Sequence, residues 1–450
     1  MEPSSIPADP FIKRRRNKVY LSINKKFVIS HLISLLWMAF SIYLSLPWLK
    51  DLSDIVTLPI SILIIGGIAY VPGYMNAFLL MSLLLDRQPS FKNPDPDKEV
   101  TLLVAAFNEE KTIFQTLSYV AGQDYHGKIK VIVIDNRSTD NTHLEIVRAQ
   151  KELNLAIDIL KEPKTGKFHA LNKGLQHVTT EYVITLDADT LLHPSAVRFL
   201  VSRMESSPEE VCAVAGSMLV RNSRENLLTK TQEWDYYLGI ASIKRLQGLY
   251  QGTLVAQGAF SLYKTDSVRQ VNGWPDAIGE DIVLTWRLLQ KEWKVYFEPL
   301  AAAFTDVPST LSHFAKQRSR WARGMIEGLN EIKPWNQPQI YTKYLTGVNL
   351  VMPYLDMMYT FFWIPGLMLA FFGYFWIVGP MTLFVLPLTM LSYGILYMYQ
   401  KHYVFKNLNL KVRKNILGFF TFILFYQMIM SPISVWGYLQ ELFKSKRVWE

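Results

Sequence analysis

Cysteine is nearly absent. One residue, Cys212, in 450 excludes an internal disulfide framework and a multi-cysteine metal centre, and it leaves no thiol pair for redox chemistry. Charge is also sparse. Only 19% of residues are charged, against 50% hydrophobic and 13% aromatic, a mix too apolar for disorder and, at this length, foreign to a stapled mini-domain. The histidines His126, His143, His177 and His313 lack metal-ligand spacing and receive no role. No cleavable leader is visible, because the first apolar run is long and has no small-residue cleavage pattern behind it; it reads as an uncleaved anchor.

What is present is gathered in blocks. The mean hydropathy of +0.11 lies between a soluble enzyme and a membrane bundle, and the apolar residues collect at the two ends. Residues 1–26 are basic, with Lys13, Arg14, Arg15 and Arg16 followed by Lys18, Lys25 and Lys26. Such a run can bind nucleic acid, but here it abuts an apolar segment, so positive-inside anchoring is preferred and no nucleic-acid partner is expected. Residues 27–85 hold two crossings of a hydrocarbon core of about 30 Å, Phe27 to Trp48 and a second within Ile55 to Leu85. Residues 86–99, with Pro89, Pro94 and Pro96, read as a linker. Residues 344–443 supply about three more crossings, with only Asp356 charged from Tyr344 to Gln400 and a basic loop of Lys401, Lys406, Lys411, Arg413 and Lys414 before the last. Five crossings set the 444–450 tail, with Lys444, Lys446 and Arg447, on the side opposite that loop, against the positive-inside rule. Either the tail breaks the rule or one apolar block is re-entrant or interfacial.

The middle of the chain, residues 100–343, has soluble character. Short runs rich in β-branched residues (Thr101 to Ala106, Val131 to Asp135, Leu155 to Leu160, Tyr182 to Asp187, Cys212 to Gly216) alternate with the helical patterns Glu109 to Ala121, Asn141 to Glu152 and Phe168 to His177. That alternation predicts an α/β domain with a mostly parallel, Rossmann-like sheet. Trp234, Tyr236 and Tyr237 with Lys244 and Arg245 suggest an amphipathic interfacial helix.

Asp135 and Asp187 end strands of this sheet, where ligands of open α/β sheets bind. In Asp187-Ala188-Asp189 strand alternation points both carboxylates to one side, able to share a hard divalent cation. Lys164-Thr165-Gly166-Lys167 is not a P-loop, whose Gly-x-x-x-x-Gly-Lys-Ser/Thr frame is missing; it reads as cations at a helix N-terminus near a phosphate, or as a solvated basic turn. Gly279-Glu280-Asp281 offers a cleft carboxylate as general base, or a helix cap. Gln317, Arg318, Arg320, Trp321 and Arg323 offer a phosphate grip and a stacking face, or a juxtamembrane helix on anionic lipid. Asp356 is a functional candidate as an intramembrane carboxylate.

Taken in order, Ala106-Phe107-Asn108-Glu109, Asp135, Gly166-Lys167 with Ala170-Leu171-Asn172, Asp187-Ala188-Asp189, Gly279-Glu280-Asp281 and Gln317-Arg318-Ser319-Arg320-Trp321 resemble the family 2 processive membrane glycosyltransferases, the synthases of cellulose, chitin and hyaluronan among them. The resemblance covers residues 100 to 325. It implies a cytoplasmic GT-A domain flanked by transmembrane helices that polymerises a UDP-sugar with inversion and passes the growing polysaccharide across the bilayer. It also implies roles. Asn108, Glu109, Asp135 and Lys167 would bind the donor nucleotide. Asp187 and Asp189 would bind its diphosphate with Mg²⁺ or Mn²⁺. Asp281 would deprotonate the acceptor, and Glu280, Gln317, Arg320 and Trp321 would hold the acceptor and diphosphate. A small membrane partner subunit is compatible with the layout. Two departures stand out, Asp135-Asn136-Arg137 where many members carry Asp-Asp-Gly, and His169 after Gly-Lys.

The runs Gln232-Glu233-Trp234 through Lys244-Arg245, Glu280-Asp281-Ile282 with Thr285-Trp286, and Arg320-Trp321-Ala322-Arg323-Gly324 look most like bacterial poly-β-1,6-N-acetylglucosamine synthases. The alternatives are another polymer synthase of the family, a non-processive transferase acting on a polyprenyl phosphate, which typically lacks the Gln-x-x-Arg-Trp cluster, and a transporter or receptor with a nucleotide-sensing domain.

Overall fold

A computed structural model describes residues 21–379 and 382–445. The basic run from Lys13 to Lys18, and Lys446 and Arg447 of the tail, lie outside these residues.

The middle of the chain is built on an eight-stranded sheet. Its strands are β1 (Val100–Ala106), β2 (Ile129–Asp135), β3 (Ala156–Lys161), β4 (Tyr182–Asp187), β5 (Leu191–Leu192), β6 (Val211–Val220), β7 (Phe260–Lys264) and β8 (Lys294–Thr305). They lie in the order β3-β2-β1-β4-β7-β6-β8-β5. The near-continuous apolar sequence of β1 and β4 suits strands covered on both faces. Val100, Leu102 and Val104 enter one core with Val131, Val133 and Ile184, whereas Leu103 enters the opposite core with Ile132, Ile134 and Val183. That is the period of two expected of a strand.

β3, β2, β1 and β4 run parallel, as the alternation of patterns predicts. The second half is mixed, because β7 is antiparallel to both β4 and β6, and β5 is antiparallel to β8. β7 and β8 are not among the sequence-expected strands. In β8 the register against β6 passes from Phe297–Ala215 to Ala302–Ser217, so the strand bulges around the buried Glu298 and Pro299. That bulge breaks the alternation a sequence reader relies on.

Four helical stretches among the described residues are long and apolar enough to cross a membrane: Ile23–Leu44, Leu58–Leu84, Ile340–Phe371 and Ile416–Leu442. The fifth expected crossing falls on the helix Thr382–Tyr399, which begins beside residues 380 and 381, outside the described set. Small residues let the second and third stretches approach closely. A Cβ on Gly67 would stand 2.3 Å from Met358 Cγ. Asp356 is buried and accepts hydrogen bonds from Ser431 Oγ (2.8 Å) and Tyr438 OH (2.7 Å), tying the third stretch to the last.

Two expectations change. Residues 86–99 are docked rather than a loose tether. Asp86 forms a buried ion pair with Arg245, Arg203 donates to Pro89 O (3.0 Å), and Gln88 Nε2 donates to Glu298 Oε2 (3.1 Å). The segment Leu227–Leu249 is not an exposed amphipathic helix either. Trp234, Tyr236, Tyr237, Lys244 and Arg245 are all buried, and Trp234 Nε1 donates to Asn415 O (2.8 Å) at the start of the last apolar stretch. Aromatic and cationic residues at helical spacing suit a membrane surface and a buried domain seam equally, and here the seam takes them.

Arg203 Nε bonds Glu298 Oε2 at 2.7 Å with both side chains buried. Removing one partner strands a buried charge, so Glu298→Gln should lower stability by about 3–5 kcal/mol. The check is the thermal midpoint of the detergent-solubilised full chain, and an unchanged midpoint would contradict the structural role of this pair.

Candidate active site

β1 is the hub of the site. Its last residues pair on either side, Ala106 opposite Asp135 and Ala105 opposite Asp187, so both strand-end carboxylates emerge at the carboxyl edge of the sheet. Asp135 is buried; its Oδ1 accepts from Ser138 N–H (3.0 Å) and its Oδ2 lies 3.6 Å from His143 Nδ1. Asn108, at φ 55°, laces the loops after β1 and β2 together, accepting from Thr139 N–H (2.8 Å) and donating its own N–H to Ser138 Oγ (3.1 Å). Glu109 N–H donates to Thr142 Oγ1 (2.7 Å) and Glu109 Oε2 accepts from the Thr112 hydroxyl (2.6 Å). Burial, then Asp187 and Asp140, push the Glu109 carboxyl above its ordinary pKa.

β4 stops at Asp187. Ala188 and Asp189 form a turn closed by Thr190 N–H onto Asp187 O (3.1 Å), so a turn, not the strand alternation expected from sequence, brings the two carboxylates together. Asp189 is pushed up to about 6 by burial and by the charges of Asp187 and Glu109, with Lys167 opposing. Among the described residues no three His, Cys, Asp or Glu side chains form a ready-made metal cage. Mg²⁺, however, is usually held through one or two carboxylates with waters and substrate phosphates. A pair of mutually repelling carboxylates at the sheet edge fits that need.

Lys167 ties the two halves of the site together. Its Nζ pairs with Asp187 and lies 3.8 Å from Glu280 Oε1. Burial alone would lower its pKa; Asp187, Glu280 and Asp281 outweigh that and hold it above the ordinary lysine value. Gly166, at φ 136°, turns the chain into this helix in a conformation L side chains rarely adopt. Asn136 explains the departure from Asp-Asp-Gly. Its amide nitrogen donates to Glu162 O (3.1 Å) and Lys164 O (2.5 Å), and its oxygen accepts from Gly166 N–H (2.8 Å). A carboxylate has no proton for those two carbonyls. Arg137 adds a bond to Thr165 Oγ1 (3.3 Å), so the Lys164–Lys167 turn is fastened to the β2 loop while Lys164 and Thr165 stay exposed. His169 packs its ring against Phe168.

Gly279-Glu280-Asp281 opens the helix Glu280–Gln290. Asp281 Oδ1 accepts from Ile282 N–H (2.8 Å) and Oδ2 from Gly258 N–H (3.3 Å). Glu280 is buried and pushed up to about 7 by burial and by Asp281, with Lys167 opposing. The neighbouring helix, Leu311–Glu331, carries Gln317, Arg320, Trp321 and Gly324 at i, i+3, i+4 and i+7, one face of a helix. Gly324 meets Gly279 backbone to backbone: a Cβ on Gly279 would stand 2.8 Å from Gly324 Cα. Glu327 fastens the crossing by accepting from Ile278 N–H (2.6 Å) and Gly279 N–H (3.2 Å).

Arg320 and Trp321 are exposed, and Gln317 Oε1 is buried without a partner. Arg318 and Arg323 are held by other partners, with the Arg318 guanidinium also lying 4.1 Å over the Trp321 ring. Arg318 is buried against Asp235 Oδ2 (2.8 Å), and Arg323 pairs with Glu441 of the last apolar helix (3.2 Å). A lipid-facing basic helix would expose all three arginines, and this one buries two of them. Sequence reasoning missed Glu327 and the Asn136 staple, neither of which carries a motif of its own.

A mixed sheet with paired carboxylates at its carboxyl edge and a basic turn into a helix defines a nucleotide-sugar glycosyltransferase of the GT-A fold. Residues 96–324 match the glycosyltransferase like family 2, and the chain belongs to that family. The poly-beta-1,6-N-acetyl-D-glucosamine synthase of Staphylococcus aureus is 36% identical over 246 residues, covering 54% of this chain and 58% of that relative. The synthase of the same name from Staphylococcus epidermidis is 32% identical over 265 residues, covering 58% of this chain and 63% of its own length. Among solved structures, the mannosyltransferase of Pyrobaculum calidifontis in complex with GDP-Man and Mn²⁺ superposes with a TM-score of 0.58 at 18% identity, over 85% of this chain and 99% of its own, which shows the shared fold.

Asn136→Asp should free the Lys164–Lys167 turn while leaving the sheet intact. Losing two donors to part-buried carbonyls costs about 1–3 kcal/mol, so hydrogen exchange across residues 162–168 should quicken about tenfold or more. Unchanged exchange there would refute the staple.

Proposed function

We propose that this enzyme is an inverting, processive β-glycosyltransferase of a bacterial plasma membrane. On this reading its catalytic domain faces the cytoplasm, polymerises UDP-N-acetylglucosamine into poly-β-1,6-N-acetylglucosamine and passes the polymer outward between its own helices. The observation that carries the reading is the Gly279–Gly324 crossing, which brings the loop of the candidate base against a helix face bearing Gln317, Arg320 and Trp321. That helix packs in turn on the last apolar stretch, where a Cβ on Gly437 would stand 2.6 Å from Ser319 O. The sugar assignment rests on the names of the relatives at 32% and 36% identity. The basic loop from Lys401 to Lys414 supports the cytoplasmic orientation.

In this scheme Asp135 holds the uridine, and Lys167 and Arg320 hold the diphosphate. Asp281 takes the proton of the acceptor hydroxyl as its oxygen attacks the anomeric carbon from the face opposite UDP. The bond from that carbon to the diphosphate oxygen breaks, and its electron pair leaves with UDP. Mg²⁺ or Mn²⁺ on Asp187 and Asp189 would stabilise the charge gathering on the diphosphate. Trp321 offers a face to the terminal acceptor sugar, and Gln317, on the same helix face, would help hold the acceptor end.

Radiolabelled UDP-N-acetylglucosamine with Mg²⁺ should yield a long polymer cut by a β-1,6-specific glycosidase; release of UDP with only one sugar added would sink processivity. Asp281→Asn should lower turnover by about 10²–10⁴-fold while UDP still binds, and polymer made at the normal rate by that variant would remove Asp281 as the base.

Asp189 generates a pH prediction. A carboxyl raised to about 6 in the fold costs stability as pH climbs from the usual carboxylate range through that value, and a cation relieves the cost. The gain in thermal midpoint from Mn²⁺ with UDP should therefore be large at neutral pH, fade as pH falls below about 6 and vanish in Asp189→Asn. A gain unaffected by pH and by that substitution would argue against the metal site.

A further inference from the structure

Lys244 is a buried cation that the scheme above leaves unused. It sits on the helix Ile243–Leu249 and is only 9% exposed. Its Nζ bonds Gln257 Oε1, a neutral partner. The Gln257 amide nitrogen is committed to Gly216 O (2.6 Å) and Phe260 O (3.2 Å), which fixes its oxygen toward the lysine. The next residue, Gly258, donates its N–H to Asp281 Oδ2 (3.3 Å). One short loop therefore grips the lysine with one residue and the candidate base with the next.

We propose that Lys244 is a positioning residue for the acceptor base: its ammonium, held by Gln257 behind the Gly258–Asp281 contact, keeps the Asp281 carboxylate aimed at the incoming hydroxyl. The proposal rests on the reading of Asp281 as the base. A buried ammonium with a neutral partner is costly, and a methionine of similar length would fill the space without that cost. Burial pushes the lysine down to about 7 even though Asp281 pulls it up, so its charge is lost just above neutrality. Three other titratable groups face Asp281. Lys167 is held above its ordinary pKa and remains a cation. The hydroxyl of Tyr263, on β7, is raised by burial and by Asp281 and remains neutral. Glu280 ionises near 7, but does so in every Lys244 variant, so comparing variants isolates the lysine.

The test is the pH profile of kcat for the full chain in detergent, with saturating UDP-N-acetylglucosamine and Mg²⁺, UDP release as readout, and UDP affinity as the check on folding. Lys244→Met should lower kcat at neutral pH about tenfold or more, flatten the alkaline limb and leave UDP affinity within about twofold. Lys244→Arg, a permanent cation, should retain turnover and move the alkaline limb up by about one pH unit or more. A methionine variant with wild-type kcat and limb overturns the proposal. If that variant no longer binds UDP, the arginine variant decides, and an unmoved limb overturns it. Asp281→Asn separates the two readings. Normal turnover in that variant removes the base itself, whereas loss there combined with an indifferent Lys244→Met removes only the role of the lysine.

Discussion

Two glycines without side chains hold the site together. Gly279 and Gly324 touch backbone to backbone, and a methyl group on either would fall within 2.8 Å of the other's Cα. No larger residue fits, so the loop carrying Glu280 and Asp281 cannot approach the helix carrying Gln317, Arg320 and Trp321 by any other route. Glu327 then locks the distance through two backbone N–H groups. The sheet delivers Asp135 and Asp187 independently of this crossing. The crossing brings the helix to the loop of Glu280 and Asp281, and Lys167 joins that loop to Asp187.

Within the resulting cleft the electrostatics are crowded rather than balanced. Glu109, Asp187, Asp189, Glu280 and Asp281 gather around one firmly cationic lysine, Lys167, with Lys244 behind the loop. Burial raises Glu109, Asp189 and Glu280 together, because each carboxylate adds to its neighbours' cost of ionising. A site in this condition favours the arrival of positive charge. A divalent cation escorting a diphosphate meets that need and leaves Lys167 able to exchange Asp187 for a phosphate oxygen.

The same helix also reaches the apolar stretches. Arg318 binds Asp235, Arg323 binds Glu441, and Gly437 admits the backbone of Ser319. Farther along, Asp356 fastens the third apolar stretch to the last through Ser431 and Tyr438. The helix of Gln317, Arg320 and Trp321 is therefore joined to the last apolar stretch, and residues 86–99 are fastened through Arg203, Glu298 and Arg245.

Much of this was legible in the amino-acid order. Apolar runs marked β1, β2, β4 and β6, because central strands buried on both faces must be continuous in hydrophobicity, a shorter run marked the edge strand β3, and short motifs marked Asp135, Lys167, Asp187, Asp189, Asp281, Gln317, Arg320 and Trp321. β8 escaped because a bulge around Glu298 and Pro299 disrupts its period. Lys244 and Arg245 were read as surface cations because charge is expected outside, and only their packing against Gln257 and Asp86 reveals that they are buried. Local physics, the periodicity of side chains and the chemistry of single residues, is written along the chain and was sufficient for the class of protein. Which carboxylate meets which cation, and which two glycines touch, depends on residues brought together from distant parts of the chain, and that was decided only when the structure closed.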